Sequence, residues 1–290
     1  QSQRPVRKIH TPLHMSGSSL DSLLECPLKW FLDREVKAQV SRGSATAFGS
    51  IVHAIAEYVA KGELDQNPEQ IQELISDSWQ ALAYEAHWQS DSDLAQAYKA
   101  AELFLDYHNL TPRVFVVAEG RYQVSLTVTT PSGKPERINL NGILDRVEID
   151  ESGRLVAIDF KNVKSPPTKA AIVQNGQLGI YQLLLRDHQV VELDAEGEDP
   201  PFGAALVQLR VEASRPKVQI QEAINFDDSP TWIEVKLGEA AEIIRSEAFV
   251  PQVNPSCRYC SYTLVCPTQS SDIFSRVLIE ESGSDDDAIE

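Results

Sequence analysis

Gly142-Ile143-Leu144-Asp145-Arg146-Val147-Glu148-Ile149, the turn Asp150-Glu151-Ser152-Gly153-Arg154, and then Leu155-Val156-Ala157-Ile158-Asp159-Phe160-Lys161 form the stretch whose reading decides the fold. Apolar and polar residues alternate through Ile149, a Ser-Gly turn follows, and the apolar run Leu155–Ile158 predicts a buried second strand. A hairpin of this kind brings Asp145 and Asp159 close together. Neighbouring carboxylates repel unless a cation neutralises them, and hard oxygen donors suit Mg²⁺ or Mn²⁺. Lys161, just beyond the second acid, is placed to stabilise charge developing on a phosphoryl group or to position an attacking water. An Asp-x-Lys triplet alone is a common surface ion pair of little energetic weight. At the end of a buried strand, the same charges are costly unless paired or bound to metal. The combination predicts metal-dependent phosphodiester hydrolysis.

Working outward, Phe48–Val59 reads as a helix with one apolar face, and His53 falls on its first turns. A neutral imidazole there can be a metal ligand, although a lone helical histidine is more often a core or surface residue. Downstream, Gln177 and Tyr181 share one face of a predicted helix over 177–185. That pair has no meaning in isolation.

Taken in order, Gly49-x-x-x-His53, Gly142-Ile-Leu-Asp145-Arg, Asp159-x-Lys161 and Gln177-x-x-x-Tyr181 resemble the motif series of the RecB-like nucleases, within the PD-(D/E)xK superfamily. The likeness runs from about Ser16 to Pro267. It implies an α/β, restriction-endonuclease-like core: a mixed sheet flanked by helices, with a helical insertion over about 62–112. It implies His53, Asp145, Asp159 and the Phe160 carbonyl as ligands of Mg²⁺ or Mn²⁺. Lys161 would be catalytic together with Asp145 and Asp159, and Gln177 and Tyr181 would position DNA or the Lys161 strand. Glu119, in the preceding strand, is a further active-site carboxylate on this reading. Asn162 follows Lys161 where many relatives carry threonine.

Four cysteines add an independent signal: Cys26, then Cys257-x-x-Cys260-x5-Cys266, with Pro27 and Pro267 directly after the first and last. A C-x-x-C with a third cysteine close by reads as a metal or cluster site rather than a disulfide framework. Four thiolates hold either a 4Fe–4S cluster or a tetrahedral zinc. One N-terminal cysteine with a C-terminal trio is similar to the iron–sulfur staple of AddB-type nucleases. That likeness implies a 4Fe–4S cluster, with zinc as the alternative. Such a staple joins the two ends of the core and closes a loop of more than two hundred residues. The entropy model makes that closure worth several kcal/mol.

The 290 residues suffice for one α/β domain with helical additions, and no apolar stretch is long enough to span a membrane. The first residue is Gln1 and the only methionine is Met15, so a piece of a larger protein is expected. No G-x-x-x-x-G-K-[ST] phosphate loop is present, so a motor would have to come from elsewhere in the same polypeptide or from a partner helicase-nuclease subunit. Net charge is −17, awkward for a DNA-binding chain. Seven acids against one arginine lie in residues 271–290, and residues 268–290 read as an acidic, disordered tail. Residues 1–15 read as a basic lead-in. The expectation is a cytoplasmic nuclease acting on single-stranded DNA ends, in double-strand break resection and recombinational repair as part of a helicase-nuclease. A stand-alone nuclease with the same staple, or a catalytically silent scaffold that routes DNA, are the alternatives.

Helices are expected at about 19–36, 47–61, 68–88, 91–110 and 230–246. Strands are expected at 114–130, 136–150, 155–162, 202–211 and 218–226. Trp79, Trp88 and Phe104 are expected in the core of the helical layer, not as base-stacking platforms.

Overall fold

The computed structural model describes residues 11–38, 44–80, 87–163, 165–187 and 202–269. In chain order its elements are β1 (Leu13–Met15), α1 (Gly17–Glu25), α2 (Pro27–Arg34), α3 (Ser44–Ala60), α4 (Pro68–Gln80), α5 (His87–Leu110), β2 (Val114–Thr129) and β3 (Pro135–Ile149). There follow β4 (Leu155–Lys161), α6 (Lys169–Val173), α7 (Gly176–Asp187), β5 (Phe202–Gln208), β6 (Lys217–Gln221), α8 (Trp232–Ser246) and a 3-10 turn, Pro255–Tyr259.

The six strands form one mixed sheet built on β3. Along one edge of β3, β2 pairs over its full length, from Val114↔Ile149 to Thr129↔Pro135. The opposite edge is shared. There β1 runs parallel to Ile138–Leu140, and β4 runs antiparallel to Arg146–Ile149. Beyond β4, β5 is parallel to it and β6 is antiparallel to β5. Asn141–Asp145 therefore have no strand partner on the shared edge, and this gap locates the site described below.

Both faces of β4 are covered, which is why Leu155–Ile158 reads as an uninterrupted apolar run. Leu155 and Ala157 join a core with Leu20, Leu23, Leu178, Leu184 and Leu237, from α1, α7 and α8. Val156, Ile158 and Phe160 join a second core with Phe48, Ile55, Ile75, Leu103 and Phe104, from α3, α4 and α5. Asp159 and Lys161 are in phase with Leu155 and Ala157, so both emerge on the α7 side. α8 lies close enough to β2 that a Cβ at Gly238 would sit 2.3 Å from the Thr129 carbonyl oxygen.

The structure departs from the sequence expectation in several places. The helix expected over 19–36 is two helices, α1 and α2. Pro27 disfavours helical backbone at the residue before it, and Cys26 is extended (φ −158°, ψ 100°), so the chain breaks there and restarts with proline in the first turn. Leu13–Met15, read as the end of a lead-in, is a sheet strand. The expected strands 202–211 and 218–226 are shorter, and α6, capped by the Thr168 side chain, was not anticipated. Trp79 and Phe104 are core residues, while the side chain of Trp88 lies outside the described residues. The first ten positions of the lead-in and the tail residues 270–290 also lie outside them. Among the described residues no helix is long and apolar enough to cross a membrane.

Candidate active site

β3 and β4 part beyond the pair Arg146↔Ile158. The Phe160 N–H, two residues past the last pair, donates instead to Asp145 Oδ2 at 2.8 Å. A carboxylate thus takes over a ladder position, and the strands splay around it. The N–H and C=O of a strand residue face the same edge. The Phe160 carbonyl therefore faces the gap that holds Asp145, while the next carbonyl, of Lys161, accepts from Leu209 N–H at 2.8 Å on the β5 side.

Two groups of residues meet at this gap. In one, His53 Nδ1 lies 3.4 Å from Asp145 Oδ2. His53 is placed by α3, whose Phe48, Val52, Ile55 and Val59 are buried in the second core. Glu119 completes the group: one ligand atom from each of His53, Glu119 and Asp145 lies within 4.8 Å of the others. Glu119 adopts a left-handed backbone (φ 53°) between the pairs Ala118↔Arg146 and Gly120↔Leu144. That conformation costs a residue with a Cβ about 1–2 kcal/mol. Strained positions of this kind cluster at functional sites.

In the other group, Asp159 is 3% exposed. Its Oδ1 accepts from Gln177 Nε2 at 2.9 Å and Tyr181 OH at 3.2 Å. Lys161 Nζ lies 2.8 Å from Oδ2, which is buried and accepts no hydrogen bond of standard geometry. Gln177 is the hub. Its carbonyl accepts from Lys161 Nζ at 3.0 Å, and its amide donates to both Asp159 and the Tyr181 hydroxyl, the latter at 2.8 Å.

The charge balance fits a divalent cation. Burial, then the Asp145 charge, lifts Asp159 to about 6, against the pull of Lys161. Burial, then Asp145 and Glu57, raises Glu119. For His53, burial opposes the charged form. The hydrogen bond to Asp145 and the charges of Asp145, Asp159 and Glu119 outweigh it, so its pKa is also raised. Each of the three groups feels the negative charge of Asp145, in addition to burial at Asp159 and Glu119 and in opposition to it at His53. Carboxylates, one imidazole, a carbonyl facing the gap and an under-used Asp159 Oδ2 form a hard donor set suited to Mg²⁺ or Mn²⁺.

The structure thus brings together His53, Asp145, Asp159, Phe160, Lys161, Gln177 and Tyr181, along with Glu119. One participant has no cue in the sequence. Asp21, from α1, accepts from the backbone N–H groups of Gly176 (2.9 Å) and Gln177 (3.0 Å), and so caps α7 from a distance. α1 can come this close because residue 17 is glycine: a Cβ there would fall 2.6 Å from the Gln177 Cα. Arg146, beside Asp145 in sequence, works on the opposite face. It pairs with Glu148 at 2.6 Å, meets His108 Nδ1 at 2.9 Å and lies over the Phe115 ring.

The cysteines lie away from this gap. Cys26 is the residue between α1 and α2, and its surroundings pack against the chain around Cys257–Cys266. Ser256 Oγ donates to Glu25 Oε1 at 2.7 Å, Asn254 Nδ2 to the Glu25 carbonyl at 3.2 Å, and Tyr262 OH to Asp33 Oδ1 at 2.6 Å. Trp30 and Phe31 both stack on Phe249. No disulfide joins the four thiols.

Known proteins similar to this chain were found by sequence and by structure. The chain is 24% identical over 232 residues to a subunit of the ATP-dependent helicase/deoxyribonuclease of Streptococcus uberis, a match covering 76% of this chain and 20% of that protein. This chain thus spans about a fifth of that relative's length. The crystal structure of SSO0001 overlays with a TM-score of 0.42 and 14% identity, covering 90% of this chain and 89% of that one. The family described as the PD-(D/E)XK nuclease superfamily matches residues 14–267. With a mixed sheet flanked by helices and a family match over most of its length, the chain belongs to the PD-(D/E)XK nuclease superfamily.

Proposed function

We propose that this chain is a divalent-cation-dependent DNA nuclease of the RecB-like kind, acting on single-stranded ends as the nuclease unit of a helicase-nuclease. The observation that carries this reading is the Lys161–Gln177–Asp159–Tyr181 network beside the His53–Glu119–Asp145 cluster, where β3 and β4 part. His53, Asp145, Asp159 and the Phe160 carbonyl would hold Mg²⁺ or Mn²⁺, with Glu119 as an additional carboxylate. When bound, the cation would supply Lewis acidity at the scissile phosphate and lower the pKa of water there. Lys161 carries its ammonium group between Asp159 and Gln177, fixed in place to offset negative charge growing on phosphoryl oxygens. Tyr181 remains a neutral donor, because burial and then the Asp159 charge push its pKa up. Gln177 orients Lys161 and Asp159 at once, and Asp21 holds Gln177.

The four cysteines would carry a structural 4Fe–4S cluster. The contacts that tie the Cys26 segment to the Cys257–Cys266 segment support this reading. A tetrahedral zinc held by the same four thiolates is the alternative. Reduced thiolate ligands suit a cytoplasmic setting. The name of the Streptococcus uberis relative, a helicase/deoxyribonuclease subunit, supports a helicase partner, and the role we propose for the pair is double-strand break resection and recombinational repair.

Incubation of the cluster-loaded chain with a 5′-labelled single-stranded oligonucleotide tests this reading. Cleavage should occur with Mn²⁺ or Mg²⁺ and stop with EDTA. Cleavage that persists undiminished in EDTA, or in an Asp159→Ala variant, would overturn the assignment.

A further inference from the structure

A cleft of about 550 Å³ opens beside the reacting carboxylates, within the size range of ligand sites. Gln177 and Tyr181 form its inner end, and both hydrogen-bond Asp159, so the cleft is continuous with the active site. Its floor is Asn141–Ile143, the stretch of β3 left unpaired between β1 and β4. The β2 residues Arg121–Gln123, paired with that stretch along its other edge, extend the floor, and the start of α1 at Ser16–Ser18 flanks it.

Three properties of this lining point to the same ligand chemistry. No acidic residue lines the cleft, although the chain carries 43 acids in 290 residues. Arg121 is exposed and forms no ion pair among the described residues, so its guanidinium is available. The α1 N–H groups ahead of Leu20 have no helix carbonyl to bond, and Ser16 provides no side-chain cap. A planar cation and backbone donors around an acid-free space are the chemistry that recognises a phosphodiester backbone.

We infer that this cleft holds the DNA strand next to the scissile bond, with Arg121 bound to a phosphate flanking the one that reacts. The inference rests on the nuclease reading, which supplies the strand. Arg121 lines the cleft and is not one of the residues grouped around Asp145. Arg121 therefore acts on binding and placement of the strand rather than on bond cleavage.

The test is fluorescence anisotropy of a labelled single-stranded oligothymidylate with the cluster-loaded chain, in Ca²⁺, across a series of salt concentrations. Arg121→Ala should raise Kd about five- to ten-fold and flatten the slope of log Kd against log salt by about 0.7, the value for one lost single-strand phosphate contact. Asn141→Asp, which puts a carboxylate in the cleft at an exposed position, should weaken binding as well. Arg137→Ala removes an exposed charge from β3 outside the cleft, and should leave both quantities unchanged. Wild-type affinity and slope in Arg121→Ala, or an equal loss in Arg137→Ala, would overturn the inference. Cleavage assays separate the two claims. If the nuclease reading is wrong, the parent chain fails to cleave in Mn²⁺. If only the cleft is misassigned, the parent cleaves and Arg121→Ala cleaves with the same KM.

Discussion

Asp21 accepts the backbone N–H of Gln177 at 3.0 Å across 156 positions of sequence, and through it the N-terminal helix sets the angle of the helix that carries Gln177 and Tyr181. Both carboxylate oxygens are used, one on Gly176 and one on Gln177. Asp21→Ala removes the cap of α7 and should cost about 1–2 kcal/mol, read as a lower Tm. It should also cut cleavage by more than the stability loss explains, because Gln177 is no longer held. Asp21→Asn keeps one acceptor and should fall between the two. Cleavage at parental rates by a folded Asp21→Ala chain would show that Gln177 needs no such support.

Asp159 sets a pH dependence. Its carboxyl is raised to about 6 by burial and then by Asp145, so without a bound cation the folded chain keeps a proton that the unfolded chain has released. The stabilising contribution is complete below the ordinary carboxylate value and is lost as pH rises through about 6. In EDTA, the parental Tm should fall more steeply than that of Asp159→Asn between about pH 4 and about pH 6.5. Mn²⁺ should restore the parental Tm at the upper pH and leave the variant unmoved. Parallel pH profiles for the two chains would contradict this.

Glu119 combines strain with a charge. Glu119→Gln preserves shape and should weaken Mn²⁺ binding roughly ten-fold, measured by calorimetry. Glu119→Gly removes the carboxylate and also relieves the left-handed backbone, a gain of about 1 kcal/mol offset in part by glycine's unfolded-state entropy. Its Tm should therefore hold or rise while Mn²⁺ affinity drops. Unchanged affinity in both variants would remove Glu119 from the site.

The cysteine corner predicts composition as well as stability. The purified chain should contain about four iron atoms with matching sulfide and little zinc. Cys26→Ser and Cys257→Ser should each lose that iron and lower the Tm, by up to several kcal/mol of closure free energy. Stoichiometric zinc without iron would replace the cluster with a single-ion staple.

Much of this was legible in the sequence because the relevant signals are local. β4 is covered on both faces, so its four leading residues are all apolar, and the acid and lysine of the site follow without interruption. Gln177 and Tyr181 are one helical turn apart, a spacing visible without a structure. Asp21 was not legible, since its partners are distant in sequence and an aspartate inside a helix has no local mark of capping another one. β1 is three residues long and paired only through Ile138–Leu140, too short to show a period. Arg146 sits within the recognisable run, but its contacts with Phe115, His108 and Glu148 depend on which face it turns to, and that follows from the splaying at Asp145.

The most direct measurement pairs cleavage with metal binding on one preparation of Lys161→Ala. The lysine is partly exposed and its loss leaves both cores intact, so the variant should fold and still bind Mn²⁺. The account predicts that its cleavage of single-stranded DNA falls by about a hundred-fold or more while Mn²⁺ affinity changes little. Cleavage at the parental rate by that variant would contradict it.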